Sequence, residues 1–182
     1  MSTVSLSLPA LRRESTEELV IGFYGNLAEW VDYPLIEALA GARPDWRFRI
    51  AGPAHVDVSV LERFENIELP GRIEYSELPA FCSGLDVAII PYDMDNSRMV
   101  SVNPVKAFEL LAAGVPVVSS DVPSVRGRSP YLRIASTTEE WLSAIEASLV
   151  GIDRAVISRS VVGEDWSSRL QHMRGIIREV PT

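Results

Sequence analysis

The chain reads as an α/β protein, a mainly parallel sheet between two layers of helices, and three observations lead there. Short apolar runs at residues 19–24 (LVIGFY), 85–91 (LDVAIIP) and 117–118 are too short for helices and typical of buried strands. Helical stretches alternate with them, which implies right-handed crossovers that lay helices on both faces of the sheet. The length of 182 residues fits one domain. Residues 1–18, mixed in charge and without periodicity, form a lead-in, and residues 19–182 form the domain.

The run 19–24 is the first strand and Gly25-Asn26 the turn after it. Pro34 opens a helix with Leu35, Ala38 and Leu39 on one face, ending near residues 41–44. In the second strand, 46–51, Trp46, Phe48 and Ile50 alternate with Arg47 and Arg49, so one face is partly wet. A short helix at 58–64, a strand at 66–69 and a helix at 74–83 closed by Gly84 follow. The run 85–91 is uninterrupted in its apolar character and belongs at the sheet centre. A polar loop, 92–102, then enters the stretch 101–119, SVNPVKAFELLAAGVPVVS.

That stretch is punctuated at both ends. Asn103 can cap a helix, Pro104 suits the first helical position, and Gly114 allows a left-handed stop before Val117 and Val118. Val105, Phe108, Leu110, Leu111 and Ala112 cover most of the helix circumference, so both of its sides are expected to be covered. A short strand near 131–135 and helices at 139–150 and 166–180 complete the chain.

A formal charge of −8 without a basic stripe argues against nucleic acid as the main partner. Cys82 is the sole cysteine, which excludes an internal disulfide and favours a reducing compartment; it reads as buried and inert. His55 and His172 lack partners at metal-ligand spacing, so no metal is expected. No apolar run approaches the roughly 18–20 residues of a membrane span, which points to a cytoplasmic chain. There is neither a GxGxxG fingerprint nor a GxxxxGK[ST] loop.

In sheets of this kind ligands bind outside the carboxyl ends of the strands. That selects the loops 25–33, 52–55 and 92–103. Glu109, the one acid of the central helix, has two readings. It forms an i, i+3 pair with Lys106, which would contribute about 0.2–0.5 kcal/mol, or it accepts from a sugar hydroxyl of a ligand whose anionic part lies at the helix N-terminus.

The order of these elements, with LPGRIEYSELPAFCSGLDVAIIPY and NPVKAFELLAAGVPVVSSDVPSV, resembles the C-terminal domain of group 1 (family 4-like) glycosyltransferases of the GT-B fold. The similarity covers nearly all of residues 19–180. It implies a Rossmann-like domain that binds a nucleotide diphosphate sugar as donor substrate, with no separate cofactor. It also implies a retaining transfer to an acceptor, in polysaccharide or cell-envelope glycan synthesis. The acceptor-binding N-terminal domain would be missing from this chain, to be supplied elsewhere or by a partner chain, and any peripheral membrane association would belong to the full-length protein.

Carried over by position, the resemblance sets amides around Ser101, Val102 and Asn103 before the diphosphate and gives Glu109 the ribose hydroxyls. Gly25 and Asn26 would border the phosphates, Gly71, Arg72 and Ile73 the nucleobase edge, and Leu78, with Pro79, the base. Two departures stand out. Ser101 occupies the place of the first glutamate in the E-x7-E motif, and the first loop carries Glu29 and Asp32 where the family often has two bases. Arg98 and Lys106 are the candidate replacements. The alternative is a non-catalytic nucleotide-sugar-binding or partner-completed module, with an apolar patch at Leu110 and Leu111. A sugar-nucleotide epimerase fragment would want cleft acids and a histidine, and a flavodoxin-like signalling domain an acidic cluster after the first strand with a late lysine; neither set is evident.

Overall fold

The computed structural model describes residues 18–161. Six strands form one parallel sheet: β1 (Leu19–Tyr24), β2 (Trp46–Ala51), β3 (Ile67–Gly71), β4 (Val87–Ile90), β5 (Val117–Ser119) and β6 (Leu132–Ile134), in the order β3-β2-β1-β4-β5-β6. Apolar character decides the positions. All four residues of β4 are buried and it lies beside β1 at the centre, as its sequence predicts. On β2 the predicted alternation holds, with Trp46, Phe48 and Ile50 buried and Arg47 exposed.

Among the described residues five helices flank the sheet: α1 (Tyr33–Ala42), α2 (Leu78–Ser83), α3 (Val105–Ala112), α4 (Thr138–Ser148) and α5 (Arg154–Arg159). α1 packs on α4 and α3 on α5. Asp32 starts α1 by accepting the Leu35 amide at 2.9 Å, with a proline in the first turn. Its buried residues are Leu35, Ile36, Leu39 and Ala40; Ala38, read as a core position, is exposed. Ile36 and Ala40 complete the buried stripe in its place, one residue round from the predicted face. Thr137 and Glu140 close a capping box at the start of α4.

α3 departs from prediction at its start and matches it at its end. The Val105 amide donates to the Asn103 carbonyl at 2.8 Å, so the chain closes on its own backbone. The helix starts one residue late, with Pro104 as cap, no side-chain capping bond, and Asn103 exposed. At the other end Gly114, φ +77°, donates to the Leu111 carbonyl at 2.9 Å and Val115 to that of Leu110 at 3.0 Å, the paired bonds of a left-handed helix stop. A Cβ there would also lie 2.7 Å from the Arg154 carbonyl oxygen, which is how closely α5 approaches.

Two other elements are shorter than predicted. The helix at 58–64 is a single 3₁₀ turn, Leu61–Arg63, preceded by a bend in which Asp57 accepts the Ser59 amide at 2.9 Å. The helix at 74–83 is a capped 3₁₀ turn, Tyr75–Glu77, followed by α2. The predicted strand 66–69 is shifted to Ile67–Gly71. The lead-in up to residue 17 and the predicted helix at 166–180 lie outside the described residues.

Ile89 is fully buried in the central strand, whereas Val105 is 39% exposed at the start of α3. Ile89→Ala should lower the free energy of unfolding by about 2–5 kcal/mol. Val105→Ala should stay within about 0.5 kcal/mol, and urea unfolding of the two variants measures both.

Candidate functional site

The winding of the sheet reverses between β1 and β4, and in such folds that is where a crevice opens at the carboxyl ends. A cleft of about 400 Å³ lies there. Asn26 and Trp30 come from the loop after β1, Tyr92, Arg98, Met99, Ser101 and Val102 from the connection after β4, and Lys106 from α3. The two loops are tied by their backbones, with the Asp93 amide on the Trp30 carbonyl at 2.9 Å and the Asp32 amide on that of Pro91 at 2.8 Å.

Lys106 is the charge at the floor. Its Nζ donates to the Tyr24 carbonyl at 3.0 Å and stands 4.6, 5.6 and 5.8 Å from the ring centres of Phe23, Tyr92 and Tyr24. Gly25 makes room for it, because a Cβ at that residue would overlap Nζ, and its φ of +149° is strained for any other residue. The glycine therefore admits the lysine. Burial pushes the Lys106 ammonium down to about 8, with Glu109 acting weakly the other way.

Glu109 follows one turn later, and its reading as an ion pair with Lys106 does not describe its contacts. Among the described residues no ion pair joins it to Lys106. Instead its Oε2 accepts the Tyr24 hydroxyl at 2.6 Å while the residue remains exposed. Burial, and then this hydrogen bond, raise the Tyr24 pKa, so the hydroxyl stays protonated. The Tyr24 ring meets Phe81 of α2 edge-on, 6.4 Å between centres. Cys82 beside it is buried, its thiol pushed up to about 11 by burial and by Glu109, as an inert cysteine requires.

Arg98 sits on the rim in an exposed ion pair with Glu29 at 2.8 Å, so the acid of the first loop neutralises the base of the second. Ser101 and Val102 line the cleft but belong to a 3₁₀ turn, Ser97–Ser101, and the link after it, not to the first turn of α3. The Val102 amide is turned to the Met99 carbonyl at 3.4 Å. Of the remaining predicted residues, Gly71 ends β3, Arg72 and Ile73 follow it, and Leu78 starts α2, with Arg72 paired to Glu74 at 3.0 Å. The loop 52–55 does not line the cleft; it pairs with the first loop through the Leu27 and His55 amides.

Tyr24, Trp30, Tyr92 and Met99 are absent from the sequence-predicted set. Trp30 and Tyr92 lie in loops that the strand-end rule selects, and aromatic residues there were a usable signal. Tyr24 had none, because it ends a strand. Among the described residues no cluster of His, Cys, Asp and Glu is arranged to hold a metal, and no helix is long and apolar enough to cross a membrane.

Residues 18–149 match the family model of the group 1 glycosyl transferases, and the chain belongs to that family. A curated relative, the putative teichuronic acid biosynthesis glycosyltransferase TuaH of Bacillus subtilis, is 35% identical over 124 residues, 65% of this chain and 31% of the relative. The chain thus spans about a third of that protein. Among solved structures, the sucrose-phosphate synthase of Thermosynechococcus elongatus superposes with a TM-score of 0.70 at 15% identity, over 90% of this chain and 45% of that one. The apo lipopolysaccharide outer core galactosyltransferase WaaB gives 0.69 at 12% identity, over 92% and 51%. HepE of Anabaena, solved with UDP and glucose, gives 0.62 at 15%, over 90% and 49%. The fold is accordingly that of one GT-B glycosyltransferase domain.

Lys106 binds fewer protons folded than unfolded between about pH 8 and its ordinary value of 10.5, so it contributes stability that rises with pH in that window. The stability of the chain relative to Lys106→Met should therefore increase from pH 7 to pH 9. Urea unfolding of both proteins at the two pH values measures it.

Proposed function

We propose that this chain is the donor-binding part of a glycosyltransferase that moves a glycosyl group from a nucleotide diphosphate sugar to an acceptor, with retention of configuration, in cell-envelope polysaccharide synthesis. Residues 19–182 form the donor domain, and the acceptor is held by a part of the enzyme outside this chain. The observation that carries the reading is the half-buried ammonium of Lys106, with one hydrogen bond, facing a cleft at the sheet's switch point. A desolvated cation of that kind favours an anion. HepE, of the same fold, was solved with UDP and glucose, and TuaH is described as acting in teichuronic acid biosynthesis.

In this reading Lys106 and Arg98 take the diphosphate, helped by backbone near Ser101, Val102 and Asn103 and by Asn26. Glu109 accepts from the ribose, and Gly71, Arg72, Ile73 and Leu78 border the base. The leaving diphosphate gathers charge as the glycosyl bond breaks, and prearranged cations stabilise that charge more than the ground state. Arg98 must first exchange Glu29 for phosphate, a small cost because exposed pairs contribute about 0–1 kcal/mol. Leu110 and Leu111 are buried, at 1% and 0% exposure, because α5 packs on α3. They form no docking patch, and the partner-completed alternative loses that support.

Calorimetric titration with UDP, GDP and ADP should give saturable binding for one of them, weakened by about 1 kcal/mol or more in Glu109→Ala. Failure of all three to bind a folded chain would sink the reading. Glu29→Gln should tighten binding of the same nucleotide by about twofold to fivefold, an effect that fades at high salt. An unchanged affinity would mean that Arg98 does not meet the phosphates.

A further inference from the structure

Tyr24 touches both charged residues of α3 at once. Its hydroxyl donates to Glu109 Oε2 at 2.6 Å, and its backbone carbonyl accepts from Lys106 Nζ at 3.0 Å. The residue is itself fixed. Its backbone closes β1 in register with Ala51 of β2, and its ring lies edge-on against Phe81 at an interplanar angle of 84°. A glutamate on an exposed helix face would otherwise sample several rotamers, and ordering it on ligand binding costs free energy.

We propose that Tyr24 is a positioning residue of the donor site, holding the Glu109 carboxylate and the Lys106 ammonium in a fixed relation before the ligand arrives. This rests on the donor reading above and deepens it. With Oε2 engaged by the hydroxyl, Oε1 is left to accept from the ligand. The carboxylate is thereby set to accept from a vicinal diol, while the lysine one turn away meets the anion. Tyr24 keeps its proton because burial and Glu109 both oppose ionisation, so it acts as a donor over the whole working range. The site then selects ribonucleoside diphosphates over analogues lacking the diol, and Tyr24 governs that selection without touching the ligand.

The test compares the nucleoside diphosphate that binds best with its 2′,3′-dideoxy analogue, by calorimetry, in wild type, Tyr24→Phe, Glu109→Gln and the double variant. Tyr24→Phe removes the hydroxyl and keeps the ring and the carbonyl. Wild type should prefer the ribonucleotide by about tenfold or more, the scale of a hydrogen bond to a charged group. Tyr24→Phe should cut that preference at least about threefold and leave dideoxy affinity within about twofold. The double variant should discriminate no less than Glu109→Gln alone, since the two residues act as one unit. A preference unchanged or enlarged in Tyr24→Phe, or an equal loss for both ligands, overturns the Tyr24 role while the donor reading stands. Wild-type binding without discrimination overturns the roles of Glu109 and Tyr24 together, and no binding of either ligand overturns the donor reading with them.

Discussion

Because β1 and β4 lie side by side while their crossovers leave toward opposite edges of the sheet, no connection covers their carboxyl ends. What fills that gap has to come from the two loops and from the start of α3. β4 is buried throughout and β1 along its interior, and the loops after them are tied together by backbone bonds such as Asp32 to Pro91. The cleft is therefore a property of the winding. Its chemistry is decided by the few side chains that reach over the gap.

The charges there are arranged so that few are free. Lys106 is enclosed by Phe23, Tyr24 and Tyr92, Glu109 is held by Tyr24, and Arg98 is paired with Glu29. A chain with a net charge of −8 thus presents a cleft with one cation enclosed by aromatic rings and the other exposed on the rim beside a neighbouring acid. The acidic first loop, which from sequence alone looks hostile to a diphosphate, is in the structure partly spent on its own arginine. Burial of the lysine keeps the other cation from being neutralised in the same way, since its partners are a carbonyl and ring faces.

Much of the fold was legible because the apolar pattern is strong where the sheet is buried. β1 and β2 begin and end at the predicted residues, since a run such as LVIGFY has one interpretation between a polar lead-in and a glycine. The pattern fails where backbone closure moves a boundary, as at Asn103. α5 was missed although Asp153 caps it by accepting the Ala155 and Val156 amides, a signal present in the sequence. Asn26, Arg98, Ser101, Val102 and Lys106, which the family resemblance singled out, all line the cleft, and the strand-end rule selects the two loops that carry the first four. Tyr24 escaped because its role depends on a contact between residues 24 and 109, and no local pattern encodes that pairing.

The loops after β1 and β2 touch along their backbones: a Cβ at Gly52 would overlap the Gly25 carbonyl oxygen, and the Leu27 amide reaches the Pro53 carbonyl at 3.0 Å. Parallel pairing thus runs on past the strand ends, as the bridge between Leu27 and Ala54 records. The two loops are consequently one structural unit. An insertion in either would unzip the other, so their lengths should drift in step among relatives. Anyone grafting a new specificity onto this scaffold would have to transplant both as a single cassette.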